Sequence, residues 1–375
     1  MLNNTLKTLC FSYFFAWAIF LNFYFFIAEK SGLDANIAGI VSGISFLART
    51  VGLLTLYPYL IKHFGTKGTG ILLAGGTVVT CILLLISTNS YLSIVCLIAV
   101  AFFLPIGLPV TESTLTGSDL KSGQYETIRL FGSLGFIISI IFASFSFTYY
   151  QKEILVLLIV LPVSIYGVTM TMRVLKNQYY DISLTNFQPI HLYVFSIVFL
   201  IQGAHAGFYV FGAPYFHGLG FNSVKISAIF IIGIIAEIGI FKTLSSNQSI
   251  SYQSLLLVAT VASIIRWGAM IASDNFMIIF ISAMLHGITF GAAHIAFVRF
   301  IKGENPSGNF ISSSFLIYGA MIMSLSLSIV TFSINSIAFE SYFTIPVIVS
   351  IVALVLVAML MVYKKCGDRI KFFRF

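Results

Sequence analysis

Apolar residues fall along this chain in twelve long blocks, and polar residues gather in the short gaps between them. The blocks are residues 8–28, 36–61, 69–88, 91–114, 127–149, 153–172, 190–213, 223–243, 253–272, 275–299, 309–334 and 342–363. A bilayer core of about 30 Å is crossed by about 20 apolar helical residues, so each block predicts one membrane-spanning helix. Strands that cross a membrane need only about 9–11 residues and alternate in polarity; these blocks are longer and do not alternate. The expectation is an all-α membrane protein with twelve transmembrane helices. The first block follows a single Lys7 and precedes eleven others, which reads as a first helix rather than a cleaved signal.

Composition agrees. The 375 residues are 59% hydrophobic and 9% charged, with a mean hydropathy of +1.02, whereas a soluble domain is about 25% charged. Membrane helices tolerate the 29 Gly and 8 Pro better than soluble helices do. The 38 Phe read as packing and lipid-facing bulk. A net charge of +8 invites a nucleic-acid reading, but the distribution argues against it. With both termini inside, Lys7, Lys62, Lys67, Lys121, Arg129, Arg173, Lys176, Lys242, Arg299, Lys302, Lys364, Lys365, Arg369, Lys371 and Arg374 face the cytoplasm. Only Lys30, Lys152 and Lys225 face out, which is the positive-inside pattern. It predicts a multi-pass protein of the inner (cytoplasmic) membrane whose basic tail meets anionic lipid. Arg299, Lys302 and Lys242 read as snorkelling anchors at the inner boundary. Cys10, Cys81, Cys96 and Cys366 form no CxxC pair, so no disulfide, metal or cofactor is expected.

The longest connector, residues 173–189, divides the chain into an N-terminal six-helix bundle (1–172) and a C-terminal bundle with a short tail (190–375). "GLDANIAGIVSGISFLAR" (32–49) aligns with "GFNSVKISAIFIIGIIAE" (220–237) at an offset of 188. Two six-helix pseudo-repeats related by an axis normal to the membrane are the architecture of major facilitator transporters, whose sites lie near midplane between the halves.

A charge at the centre of a membrane helix costs about 2.5–3.5 kcal/mol on insertion scales and marks a functional site by default. Arg49, Glu112, Glu237, Arg266, His286 and His294 fall inside the blocks, and Arg129 lies near the start of one. At about 1.5 Å per residue, Glu237, Arg266 and His286 lie about 22, 12 and 15 Å from the outer face, near enough in depth to be neighbours. Such a group can load and release a proton as its cavity opens to either side, and His titrates near neutrality. The alternative is a static polar cluster joining helices.

At these positions the sequence resembles a known family. "RLFGSLGF" (129–136), "QGAHAGFY" (202–209), "AE" (236–237), "IRWG" (265–268) and "LHGITFGAAH" (285–294) resemble the phenylpropionate permeases of the major facilitator superfamily. The order and spacing hold across most of the chain, most closely from the fifth to the tenth span. The pattern is similar, more distantly, to the lactose-permease type of sugar–proton symporter. The resemblance implies twelve helices, alternating access and proton-coupled uptake. It implies that Glu112 and Arg129 bind substrate. Phe136 stands where the sugar permeases stack a Trp on the sugar ring, and there it resembles the phenylpropionate group. Glu237, Arg266 and His286 match the proton-coupling set, and His294 is a further candidate. Three residues beyond His286 the sugar permeases carry a second Glu; Thr289 here cannot titrate. Glu237 or a histidine then carries the proton alone, or coupling is absent. The first inner loop, "KHFGTKG", also lacks the Asp of the superfamily signature.

For a small aromatic carboxylate, Arg129 offers a guanidinium fork, and Phe136, His205, Phe208 and Tyr209 offer ring faces. Arg49 is a further candidate on the substrate path. For a sugar, Glu112 would accept hydroxyl hydrogen bonds. The preferred reading is a proton symporter importing a small aromatic carboxylate. Sugar–proton symport stays open, as does a transport-inactive sensor or scaffold. A membrane enzyme would need clustered catalytic groups at a membrane face, and the short loops hold none. One chain supplies both halves of the expected cavity, so a monomer is expected.

Overall fold

The computed structural model describes residues 1–118, 120, 124–148, 152–180, 187–247, 249–304, 308–336 and 342–372. Lys121, Arg374 and positions 181–186 of the central connector lie outside them, as do the side chains of Lys364, Lys365, Cys366, Arg369 and Lys371. The described residues are helical, with no strand among them.

The first half comprises α1 (Leu2–Lys30), α2 (Ala35–Val51), α3 (Tyr57–Ile86), α4 (Ser90–Phe103), α5 (Gly107–Thr116), α6 (Gln124–Thr148) and α7 (Lys152–Thr171). The second comprises α8 (Pro189–Gly203), α9 (Ala206–Gly218), α10 (Ser223–Ser246), α11 (Tyr252–Ala272), α12 (Phe276–Met284), α13 (Ala293–Glu304), α14 (Gly308–Ile317), α15 (Ser326–Ser336) and α16 (Thr344–Phe372). Among the described residues, eleven segments are long and apolar enough to cross a membrane, one of them the 52-residue Ala35–Ile86. At 1.5 Å per residue that segment would run about 78 Å, far more than one bilayer. It breaks at Gly65, whose φ is 66° and ψ −175°, and so makes two crossings. Twelve passes result, as the hydropathy pattern predicts.

Several passes carry a local irregularity. A π turn, Gly52–Leu56, links α2 to α3, and another, Gly287–Ala292, links α12 to α13. A third, Tyr318–Leu325, links α14 to α15. Pro105, which has no N–H to donate, sits in the 3₁₀ turn between α4 and α5.

The aligned repeat has a structural counterpart. Gly32 (φ 85°) and Gly220 (φ 78°) both turn left-handed just before a helix. Two residues on, Asp34 accepts from the Ile37 amide at 2.9 Å, and Asn222 accepts from the Lys225 amide at 3.0 Å. Both are side-chain helix caps, and every member of the set keeps the 188-residue offset.

Two compact units emerge. One comprises Met1–Ser183 with Phe208–Ile231, the other Leu184–Gly207 with Ile232–Phe375. In the first, α1 packs against α6 and α7. Its centre is 83% buried, against 28% for Ser223–Leu244, so α1 is an inner helix. Gly135 permits that packing, because a Cβ there would sit 2.5 Å from the Phe11 carbonyl oxygen. Phe25 meets Phe211 and Phe23 meets Phe230, with ring centres 5.2 and 6.1 Å apart. In the second unit, α8, α11, α13 and α16 share a core that includes Val198, Leu256, Phe297 and Val357. Cys10, Cys81 and Cys96 are buried free thiols.

Candidate functional site

In the second unit, two glycines bring α10 against the helix that carries His286. A Cβ on Gly287 would lie 2.5 Å from the Ala236 carbonyl carbon and oxygen and 2.8 Å from the Glu237 amide nitrogen. A Cβ on Gly233 would lie 3.1 Å from that of His286. The close backbones seat Glu237 beside His286, and His286 Nε2 stands 3.5 Å from Glu237 Oε2. Arg266, on α11, is fully buried. Its Nη1 donates to His286 Nδ1 at 3.0 Å and to Thr289 Oγ1 at 3.1 Å. His205, in the break between α8 and α9, places Nε2 3.1 Å from Thr289 Oγ1 and Nδ1 3.0 Å from the Ile201 carbonyl.

The donors fix the protonation pattern. A guanidinium has no acceptor, so His286 Nδ1 must accept and carries no proton. The proton of neutral His286 is then on Nε2, facing Glu237. A carbonyl only accepts, so His205 carries its proton on Nδ1. In a neutral His205 ring Nε2 accepts from the Thr289 hydroxyl, which accepts from Arg266 and also lies 3.3 Å from the His286 carbonyl. The chain thus runs from Arg266 in two directions, towards Glu237 through His286 and towards Ile201 through Thr289 and His205. This set of residues holds one carboxylate and one guanidinium, with His286 between them. Arg266 also lies over the Trp267 ring at 4.2 Å, and Trp267 stacks on Phe343 at 5.9 Å. The Glu237 side chain keeps 23% exposure, against 8% for His286.

The structure therefore brings together Glu237, Arg266, His286 and His205 from the sequence candidates. His294 stands two turns beyond His286, in a cage of Phe241, Tyr318 and Phe290; Phe290 stacks on both histidines. Thr289, read in the sequence only as a missing carboxylate, is the hydroxyl that joins Arg266 to His205. The π turn that carries it begins directly after His286, and such turns are frequent at functional sites.

In the first unit, Arg129 Nε lies 3.2 Å from Glu112 Oε1, and both side chains are about one-third exposed. The Arg129 guanidinium covers the Phe14 ring at 4.5 Å. Phe136 lies two turns further along α6, half-buried. Arg49, on α2, is 2% exposed and lies over the Trp17 ring at 4.7 Å. Trp17 stacks on Tyr13, which Gly107 contacts closely. Phe208 packs its ring on Phe230 and Phe216, while Tyr209 is buried as an electrostatic neighbour of Arg49.

A family model described as the MFS_1 like family matches residues 4–329. The chain belongs to that family. It is a multi-pass transporter of the major facilitator type. A curated relative from Escherichia coli (strain K12), named "Probable 3-phenylpropionic acid transporter", is 26% identical over 345 residues, 86% of this chain and 87% of that protein. Among solved structures, a point mutant of the nucleoside transporter NupG superposes with a TM-score of 0.76 at 16% identity, covering 96% of this chain and 99% of its own. The peptide transporter POT in complex with sulfate gives 0.75 at 11% identity, covering 98% and 95%. At those identities the solved structures speak for the major facilitator fold alone.

Proposed function

We propose that this chain is a proton symporter that imports a small aromatic carboxylate across the inner membrane by alternating access. The observation that carries the reading is the Glu237–His286–Arg266 cluster, a carboxylate held inside the membrane with partial exposure. The relative named for 3-phenylpropionic acid supports the substrate class.

The cluster suits one proton. While Arg266 donates to His286 Nδ1, a second proton on that ring would point at the guanidinium, so an incoming proton goes to Glu237. A protonated Glu237 leaves the Arg266 charge unopposed, and unopposed charge in the membrane is costly. A proton carried together with a monovalent anion moves no net charge, which links one proton to one carboxylate. We assign the moving bodies to the sequence halves 1–172 and 190–375, with both termini cytoplasmic and one chain as the transport unit.

Uptake into proteoliposomes tests this. With an alkaline interior, labelled 3-phenylpropionate enters faster than into protein-free vesicles, and a protonophore abolishes the difference. Gradient-driven accumulation of lactose in place of the acid would overturn the substrate assignment. Uptake of neither would favour a transport-inactive sensor.

A further inference from the structure

Arg49 and Arg129 are both cationic residues of the first unit, yet their surroundings differ. Arg129 is paired with Glu112 at 3.2 Å and about one-third exposed. Arg49 is 2% exposed, and no carboxylate pairs with it among the described residues. Its Nε and Nη1 atoms are buried and have no hydrogen-bond partner there. What surrounds it is aromatic: the Trp17 face at 4.7 Å, with the buried Tyr13 and Tyr209 phenols as electrostatic neighbours. Elsewhere in the same unit, a small pocket is lined by Phe20 and Tyr24 of α1, Ser42, Ser45 and Phe46 of α2, and Val210. Ser42, Ser45 and Phe46 share the helix face of Arg49 at i−7, i−4 and i−3.

A guanidinium out of water requires a partner for its charge and acceptors for its N–H groups. The Trp17 face answers part of the first need and none of the second. A carboxylate answers both, since an arginine–carboxylate contact is a charge-assisted hydrogen bond. We infer that Arg49 is the counter-ion for the carboxylate of the transported anion, with Trp17 and Tyr13 setting the aromatic wall beside it. Arg129, already joined to Glu112, serves that pair. The inference rests on the anion-transport reading proposed above and adds the atoms that recognise the anion.

Binding to purified full-length protein in detergent tests it, with three probes: 3-phenylpropionate, its neutral amide, and succinate as a non-aromatic anion. Wild type binds the acid more tightly than the amide. Arg49→Met lowers affinity for the acid at least about tenfold, the expected loss of a hydrogen bond to a charged group, and leaves the amide unchanged. Arg49→Lys, which keeps the charge, retains part of the preference. Arg49→Met also keeps or raises the ligand-free melting temperature, because replacing a buried unpaired charge by an apolar side chain is not destabilising. A residue that merely tied helices together would lower it.

An Arg49→Met protein that still prefers the acid over the amide overturns the assignment while leaving the aromatic-acid reading standing. So does a fall in ligand-free melting temperature with unaltered acid affinity. Arg49-dependent binding of succinate alone supports the anion site and overturns the aromatic substrate. A wild type that binds no anion overturns both.

Discussion

Thr289 shows how much one uncharged side chain can organise. Its hydroxyl accepts from Arg266 and stands 3.1 Å from His205 Nε2. Thr289→Val removes the group and leaves buried donors and acceptors short of a partner, a cost of about 1–3 kcal/mol. A lower melting temperature in detergent is the expected readout, with Thr289→Ser close to wild type. The sequence marks Glu237, Arg266 and His286 plainly, because ionisable groups in apolar helices are conspicuous. It marks Thr289 only as a missing carboxylate and not as a joint, since a hydroxyl in a membrane helix can bond to its own backbone at little cost. Arg49 is intermediate. Its charge is visible in the sequence, but the lack of a protein counter-ion among the described residues emerges only from three-dimensional packing.

At the scale of elements, glycine contacts set the position of these side chains. Gly287→Ala puts a methyl group into the Ala236 and Glu237 backbone, and α10 must then move away from His286. A stability loss of about 1–3 kcal/mol is expected from such overpacking, together with slower proton-driven uptake. The first inner loop has a second close approach. Asn177 of the central connector accepts from the Lys67 amide at 2.9 Å and donates to the Phe64 carbonyl at 3.1 Å. The Thr66 amide donates to the Gln178 carbonyl at 2.8 Å. A Cβ on Gly65 would collide with Asn177 Oδ1. The loop that lacks the signature Asp is thus fastened by the connector. Asn177→Ala leaves two backbone groups seeking new partners and is expected to lower the melting temperature. Hydropathy locates the passes well, because burial in lipid demands long apolar stretches. It does not locate the π turns, which leave composition and period almost unchanged. Arg299, which in sequence resembles a snorkelling anchor, donates to the carbonyls of Leu244, Asn247 and Ile250 and so clamps the loop after α10.

For the whole molecule, the twelve passes and the 188-residue repeat follow from sequence, and membership of the MFS_1 like family fixes the transporter class. The chemistry of coupling rests on a narrower base. The cluster of Glu237, His286, Arg266, Thr289 and His205 contains one carboxylate, with Thr289 where a second one stands in the sugar permeases that the sequence distantly resembles. If the proton rides on Glu237, a side chain fixed in the neutral state should uncouple movement of cargo from the gradient without blocking it. Glu237→Gln in proteoliposomes is therefore the direct test, using labelled 3-phenylpropionate under an imposed pH gradient and, separately, exchange at equal pH. The account predicts gradient-driven uptake no faster than into protein-free vesicles, with exchange retained. Gradient-driven uptake at the wild-type rate would contradict it.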